Sequence, residues 1–119
     1  MRVLVCGDRN WTDEDFMRQW LHDAMVFLPG DIVIEGEARG ADSVARNIAL
    51  SLGLEVLRFP AQWNTHGRAA GPIRNIQMLK EGNPDLVLAF HDDIAESKGT
   101  KHMIQIAQKA GVEVRLVTH

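Results

Sequence analysis

Five short apolar runs alternate along this chain with four stretches of helical spacing, and no hairpin turn joins any two of the runs. The runs are residues 2–6 (RVLVC), 31–35 (DIVIE), 54–59, 85–90 (DLVLAF) and 112–117. Runs of this length, rich in valine, isoleucine and leucine, read as strands buried on both faces. Without hairpins, each connection must cross over through a helix and return the chain in the same direction. The expected fold is therefore α/β: a Rossmann-like three-layer sandwich around a five-stranded parallel sheet, in the order 3-2-1-4-5. Ligands of such sheets collect outside the carboxyl ends of the strands where the strand order reverses, which places the crevice between strands one and four. The loops that reach it are residues 7–11 and 91–100, with Arg39 and the segment 63–74 arriving from the side.

The helices carry their own punctuation. Thr12 precedes Asp13, Glu14 and Asp15, an N-cap followed by three acids in the first turn, where the dipole favours them. That helix is expected to run to about Leu28 and to end at Pro29-Gly30. Its apolar residues Phe16, Met17, Trp20, Leu21, Ala24 and Leu28 make a stripe broader than one sheet contact needs, so a homodimer is expected with this helix or its neighbour at the interface. A second helix opens at Ala41 with a narrow face of small residues and stops at Gly53. A third is expected from Pro72, tolerated at a first helical position, to near Lys80. The last begins at Gly99-Thr100, with Thr100 as its cap, and stops at Gly111.

With 119 residues the chain suits one domain, residues 1–119. A formal net charge of −3 argues against a broad grip on duplex DNA, and nucleic acid is not an expected partner. The lone Cys6 has no partner for an internal disulfide, so a reducing cytoplasm is the expected compartment. Neither a signal peptide nor a membrane span is expected, because the first apolar run is short and Asp8 and Arg9 follow it.

The chemistry concentrates in residues 60–79, PAQWNTHGRAAGPIRNIQML. Trp63 and His66 offer flat faces, Arg68 and Arg74 two guanidinium forks, and Gly67 and Gly71 close backbone approach. Free N–H groups at a helix start favour an anion, and Arg74 just inside it would add a full charge. The competing reading makes Trp63 a core cover, Pro72 a helix start and the arginines solvated. Neither G-x-G-x-x-G nor G-x-x-x-x-G-K-[ST] occurs, which excludes the ordinary dinucleotide and P-loop phosphate cradles. The Gly99-Thr100 helix start is a second candidate cradle.

Taken together, Gly36-x-Ala38-Arg39-Gly40-Ala41-Asp42, Pro60-Ala61-x-Trp63, His66-Gly67-Arg68-Ala69-Ala70-Gly71-Pro72-x-Arg74-Asn75-x-x-Met78 and Gly99-Thr100-x-x-Met103 resemble the YspA-like branch of the SLOG superfamily. The superfamily also holds the LOG phosphoribohydrolases and the DprA/Smf proteins that bind single-stranded DNA. The resemblance implies a Rossmann-like fold and a nucleotide-derived small-molecule ligand. Arg74-Asn75-x-x-Met78 looks like the arginine-containing helix motif of the LOG enzymes, which puts Arg74 on a phosphate or sugar. Their second motif, P-G-G-x-G-T-x-x-E, keeps only Gly99-Thr100 here, and Met103 stands where the catalytic glutamate would be. A thioether is no general base and stabilises no oxocarbenium charge.

The expected ligand-binding set is Gly7, Asp8, Arg9, Arg39, Gly40, Asp42, Trp63, His66, Gly67, Arg68, Arg74, Asn75, Gly99 and Thr100. Arg39 and Arg74 are expected to converge on one anion, and Asp42 to hold Arg39 or bond a ribose hydroxyl. Asp92 and Asp93 are the candidate catalytic acids, with Glu96 and Asp8 as further substitutes; acids in a polar loop are otherwise simply solvated. Cys6 reads as a packing residue. His91 with Asp92 and Asp93 lacks a second histidine at ligand spacing, so no protein-held metal is expected, and Mg²⁺ shared with ligand phosphates is the one cofactor role left open. Three functions follow: binding or sensing of a nucleotide or nucleotide-derived ligand, phosphoribohydrolase-like cleavage of nucleoside 5′-monophosphates, and single-stranded DNA binding with Trp11 and Trp63 as stacking platforms.

Overall fold

The computed structural model describes residues 1–25 and 30–119. Strand β1 (Arg2–Gly7) lies at the centre of the sheet, and its side chains divide by the two-residue period of a strand. Val3 and Val5 point to one face, where they meet helices α1 (Glu14–Met25) and α2 (Ala41–Ser51) through Met17, Leu21, Ala45 and Ile48. Leu4 and Cys6 point to the other, against Met78 of α4 (Ala70–Gly82) and Met103 and Ala107 of α5 (Lys98–Lys109). Both faces are therefore covered, which is why the strands read as continuous apolar runs.

The strands β2 (Ile32–Glu35), β3 (Glu55–Arg58), β4 (Leu86–Phe90) and β5 (Glu113–Val117) complete an all-parallel sheet in the order β3-β2-β1-β4-β5. Val3 pairs with Val33 on one side and Leu86 on the other. The expected fold and strand order both hold. Order reverses between β1 and β4, and their carboxyl ends, Gly7 beside Phe90, mark the switch point.

Several boundaries differ from expectation for local reasons. Asp13, not Thr12, caps α1: its Oδ1 accepts from the Phe16 amide at 3.2 Å. The expected end of that helix, at Leu28 and Pro29, lies outside the described residues. Residues 63–71, expected as an open loop, are coiled into α3 (Trp63–His66) and a 3₁₀ turn (Gly67–Ala69) that feeds directly into α4. The helix starts at Ala70, and Pro72 sits within its first turn, where its absent N–H has no intrahelical acceptor to lose. Its end is Gly82, followed by Asn83 in the left-handed conformation at φ 48°. Ser97 rather than Thr100 caps α5, its Oγ accepting from the Thr100 amide at 3.2 Å. No helix among the described residues is long and apolar enough to cross a membrane.

Candidate functional site

Gly7 ends β1, and the loop after it is pinned on both sides. The Asp8 amide donates to the Phe90 carbonyl at 2.8 Å, and the Asp8 carbonyl accepts from Ala41 at 3.0 Å and Trp11 at 3.1 Å. The first N–H of α2 is thus already used by Asp8. Gly40 makes this approach feasible, because its φ of 78° with ψ of −125° is a conformation that glycine alone adopts readily, and a Cβ there would overlap Asp8 and Arg9. Gly40 therefore acts as a spacer behind the site.

Across the crevice, Arg74 is held by two bonds: Nη1 donates to the Gly36 carbonyl at 2.6 Å and Nε to Asn75 Oδ1 at 3.0 Å. Gly36 is required for this contact, since a Cβ would lie 2.6 Å from Nη1. Asn75 passes the restraint on, its Nδ2 donating to the Gly99 carbonyl at 3.2 Å and lying 3.1 Å from His102 Nδ1. Asp42 anchors the opposite end. Its Oδ2 accepts from the Gly36 amide at 3.0 Å and the Ala38 amide at 3.3 Å. A continuous chain of bonds thus runs from Asp42 through Gly36, Arg74 and Asn75 to the start of α5. Asp42 does not hold Arg39, as expected from sequence; the tight loop 36–40 brings it two backbone donors instead, and Arg39 Nη2 turns to Asn10 Oδ1 at 3.4 Å.

These elements enclose a cavity of ≈ 400 Å³ at the switch point, lined among others by Gly7, Asp8, Arg9, Arg39, Asp42, Arg74, Asn75, Gly99 and Thr100. A second, of ≈ 430 Å³, shares Arg9, Ala38, Arg39 and Arg74 with the first and adds Trp63, Pro60, Ala61 and Glu37. Both volumes suit a small ligand. Arg39 and Arg74 do line one cavity, with Arg9 as a third cation.

The arginines share the cavity wall with the carboxylates of Asp8, Asp42 and Glu96. Among the described residues no carboxylate is ion-paired with Arg9, Arg39 or Arg74. Burial lowers the pKa of Arg74, Asp42 attracts it and Arg9 repels it. Burial also pushes the Asp42 carboxyl up to about 6, against the two amides and Arg74 that favour its ionised form. Cys6, at the floor, has its thiol raised far out of the physiological range, chiefly by burial, which suits packing and not nucleophilic attack.

Not every expected residue arrives. His66, Gly67 and Arg68 line neither cavity: winding residues 63–69 into helical turns leaves them exposed on the outer surface. The α4 start does not face the crevice either, so the helix terminus that does is that of α5, with Ser97, Lys98, Gly99 and Thr100 in its wall. Asp92 and Asp93, the catalytic candidates, also line neither cavity. Phe90 and Val117 are paired at the ends of β4 and β5, so Asp92 leaves the sheet beside the end of β5 and bonds His119, both oxygens at 2.7 Å. The loop from His91 to Lys98 is not loose: it forms a 3₁₀ turn, and His91 Nδ1 accepts from the Asp93 amide at 2.9 Å. Of the loop acids, Glu96 and Asp8 do reach the cavity. Trp11 is buried, stacked on His119 with ring centroids 4.4 Å apart, and offers no platform to a nucleic acid.

Asn10, His91, Ser97 and Lys98 also stand in the cavity wall; the sequence reading placed their loops at the crevice without singling them out as ligand-binding residues. Ser97 had a signal, a serine three residues before Thr100 at a helix start; His91 had none, because its orientation depends on the turn that follows. Among the described residues no group of three or more His, Cys, Asp or Glu is placed to hold a metal. A Mg²⁺ here would take most of its ligands from bound phosphates and water.

Fold and site together define a Rossmann-like domain with an arginine-walled crevice at the topological switch point. The chain belongs to the YAcAr family (YspA, cpYpsA-related SLOG family), whose family model matches residues 1–66. It is also similar to the gene 61 protein of Mycobacterium phage D29, 39% identical over 119 residues that cover 95% of this chain and 93% of that protein.

Proposed function

We propose that this protein binds a nucleotide or nucleotide-derived ligand in the switch-point crevice and does so without turning it over. The observation that carries the reading is the meeting of Arg9, Arg39 and Arg74 on one cavity with no ion-paired carboxylate among the described residues. Three guanidinium groups beside a helix N-terminus offer a phosphate both positive charge and hydrogen-bond donors. SLOG membership is consistent with that ligand class. Met103 supports binding over catalysis, since it is fully buried in the core and presents nothing to the crevice.

The enzymatic alternative rests on Asp42 and Glu96, both in the cavity wall, with burial pushing the Asp42 carboxyl up to about 6. A compartment of reducing potential, the cytoplasm, suits the buried free Cys6. Calorimetry with nucleoside 5′-monophosphates tests the binding reading. Arg74→Ala should weaken affinity by about 1.5–3 kcal/mol, the worth of a charged hydrogen bond. Incubation with the same nucleotides should release no free base. Release that vanishes in Asp42→Asn or Glu96→Gln would show a nucleotide glycosidase instead.

A further inference from the structure

The second cavity is not a separate site. It meets the first at Arg9, Ala38, Arg39 and Arg74, so the three arginine side chains stand between two hollows and can be reached from both. The two hollows differ in chemistry. The switch-point side is polar, walled by Asp8, Asp42, Asn75 and the start of α5. The outer side is framed by Trp63, Pro60 and Ala61, with the Glu37 carboxylate at its edge.

Trp63 is the telling residue. It is 50% exposed and lines the outer hollow, and a side chain at Gly71 would meet Cη2 of its indole, so glycine there leaves the ring its space. Glu37 holds its position at a positive φ of 57° and, among the described residues, its carboxylate makes a long 3.9 Å ion pair to Arg58, which leaves it available to hydroxyl or amino donors.

From these observations we infer that the natural ligand has two lobes: a ring-bearing group in each cavity, joined by a phosphate or pyrophosphate bridge that lies on the Arg9–Arg39–Arg74 wall. The inference rests on the anion-binding reading of the crevice and extends it. A mononucleotide would fill one hollow and leave the other to water, whereas a bridged molecule places its charge on the arginine wall that both hollows share and puts one planar ring on Trp63. Glu37 would accept from that lobe's sugar hydroxyls or exocyclic amine. Stacking of a base on an aromatic side chain changes affinity by roughly 5- to 150-fold.

The test compares each of the four common nucleoside 5′-monophosphates with its own pyrophosphate-linked dimer, titrated into the full chain and into Trp63→Ala and Arg74→Ala. The expected result is that at least one dimer binds tenfold or more tightly than its monomer. Trp63→Ala should remove that gain and the accompanying quench of tryptophan emission. Arg74→Ala should weaken both ligands. Monomers that bind as tightly as their dimers, or a dimer advantage that survives Trp63→Ala, would overturn the two-lobed ligand and leave the nucleotide reading standing. If no monomer and no dimer binds the parent protein, the anion-binding reading falls and this inference falls with it.

Discussion

Two buried carboxylates, Glu35 and Asp42, tie the stability of this fold to pH. Glu35 has no exposed surface and Asp42 very little, and burial pushes their carboxyls up to about 7 and about 6. For Glu35 the opposing pulls, the Glu37 amide at 2.6 Å and Arg46 at 3.4 Å, are outweighed by desolvation. A raised carboxyl means the folded state holds a proton that the unfolded chain has released. The associated stability is fully present below the unfolded values near 4 and is lost as pH rises through about 6 and 7. Denaturant unfolding should therefore show lower stability at pH 8 than at pH 5.5, by on the order of a few kcal/mol for the two groups together. Glu35→Gln should flatten that slope; an unchanged slope would remove Glu35 as its source. Asp42 illustrates what a single residue's sequence context conceals. A first-turn acid next to an arginine reads as that arginine's partner, yet in the fold its oxygen is taken by two backbone amides six and four residues back.

Among the elements, α5 matters most to the crevice, because its first turn forms part of the wall and its cap, Ser97, is inside it. Ser97→Ala should cost about 0.5–2 kcal/mol of stability, the usual worth of a cap bond, and Ser97→Asp should restore it. Thermal unfolding of the pair of variants checks both. The α4 element shows where punctuation misleads: Pro72 marks the neighbourhood of a helix start without being the first residue, since any position in the first turn lacks an intrahelical acceptor. The helical winding of residues 63–69 was invisible for a different reason. Short turns gain little from local propensity and form when tertiary contacts favour them.

At the scale of the whole molecule, the described part of the α1 stripe contributes to the core: Met17 and Leu21 are buried and the partly buried Phe16 and Trp20 pack against it. The exposed large apolar residues described on the helices of the other face include Ile73 and Ile76, one turn apart on α4. We propose a homodimer through that α4 face, because a two-fold contact would cover the same pair from both copies. Light scattering should give a dimer mass that Ile76→Asp reduces to that of one chain; a single-chain mass for the parent protein at high concentration would rule it out. The sheet, its all-parallel sense and its order were legible in residues 2–6, 31–35 and 85–90, because continuous apolar runs joined only by crossovers admit few arrangements. The location of the crevice followed from that order, and with it the roles of Gly7, Arg39 and Arg74 in its wall. What tertiary structure alone decided was orientation: His66 and Arg68 outward, Arg74 inward onto Gly36, Asp92 away to His119 and Trp11 into the core. A residue's chemistry is local and can be read from the chain, but the direction of a side chain is set by partners tens of residues away, which only the folded backbone brings within a few ångströms.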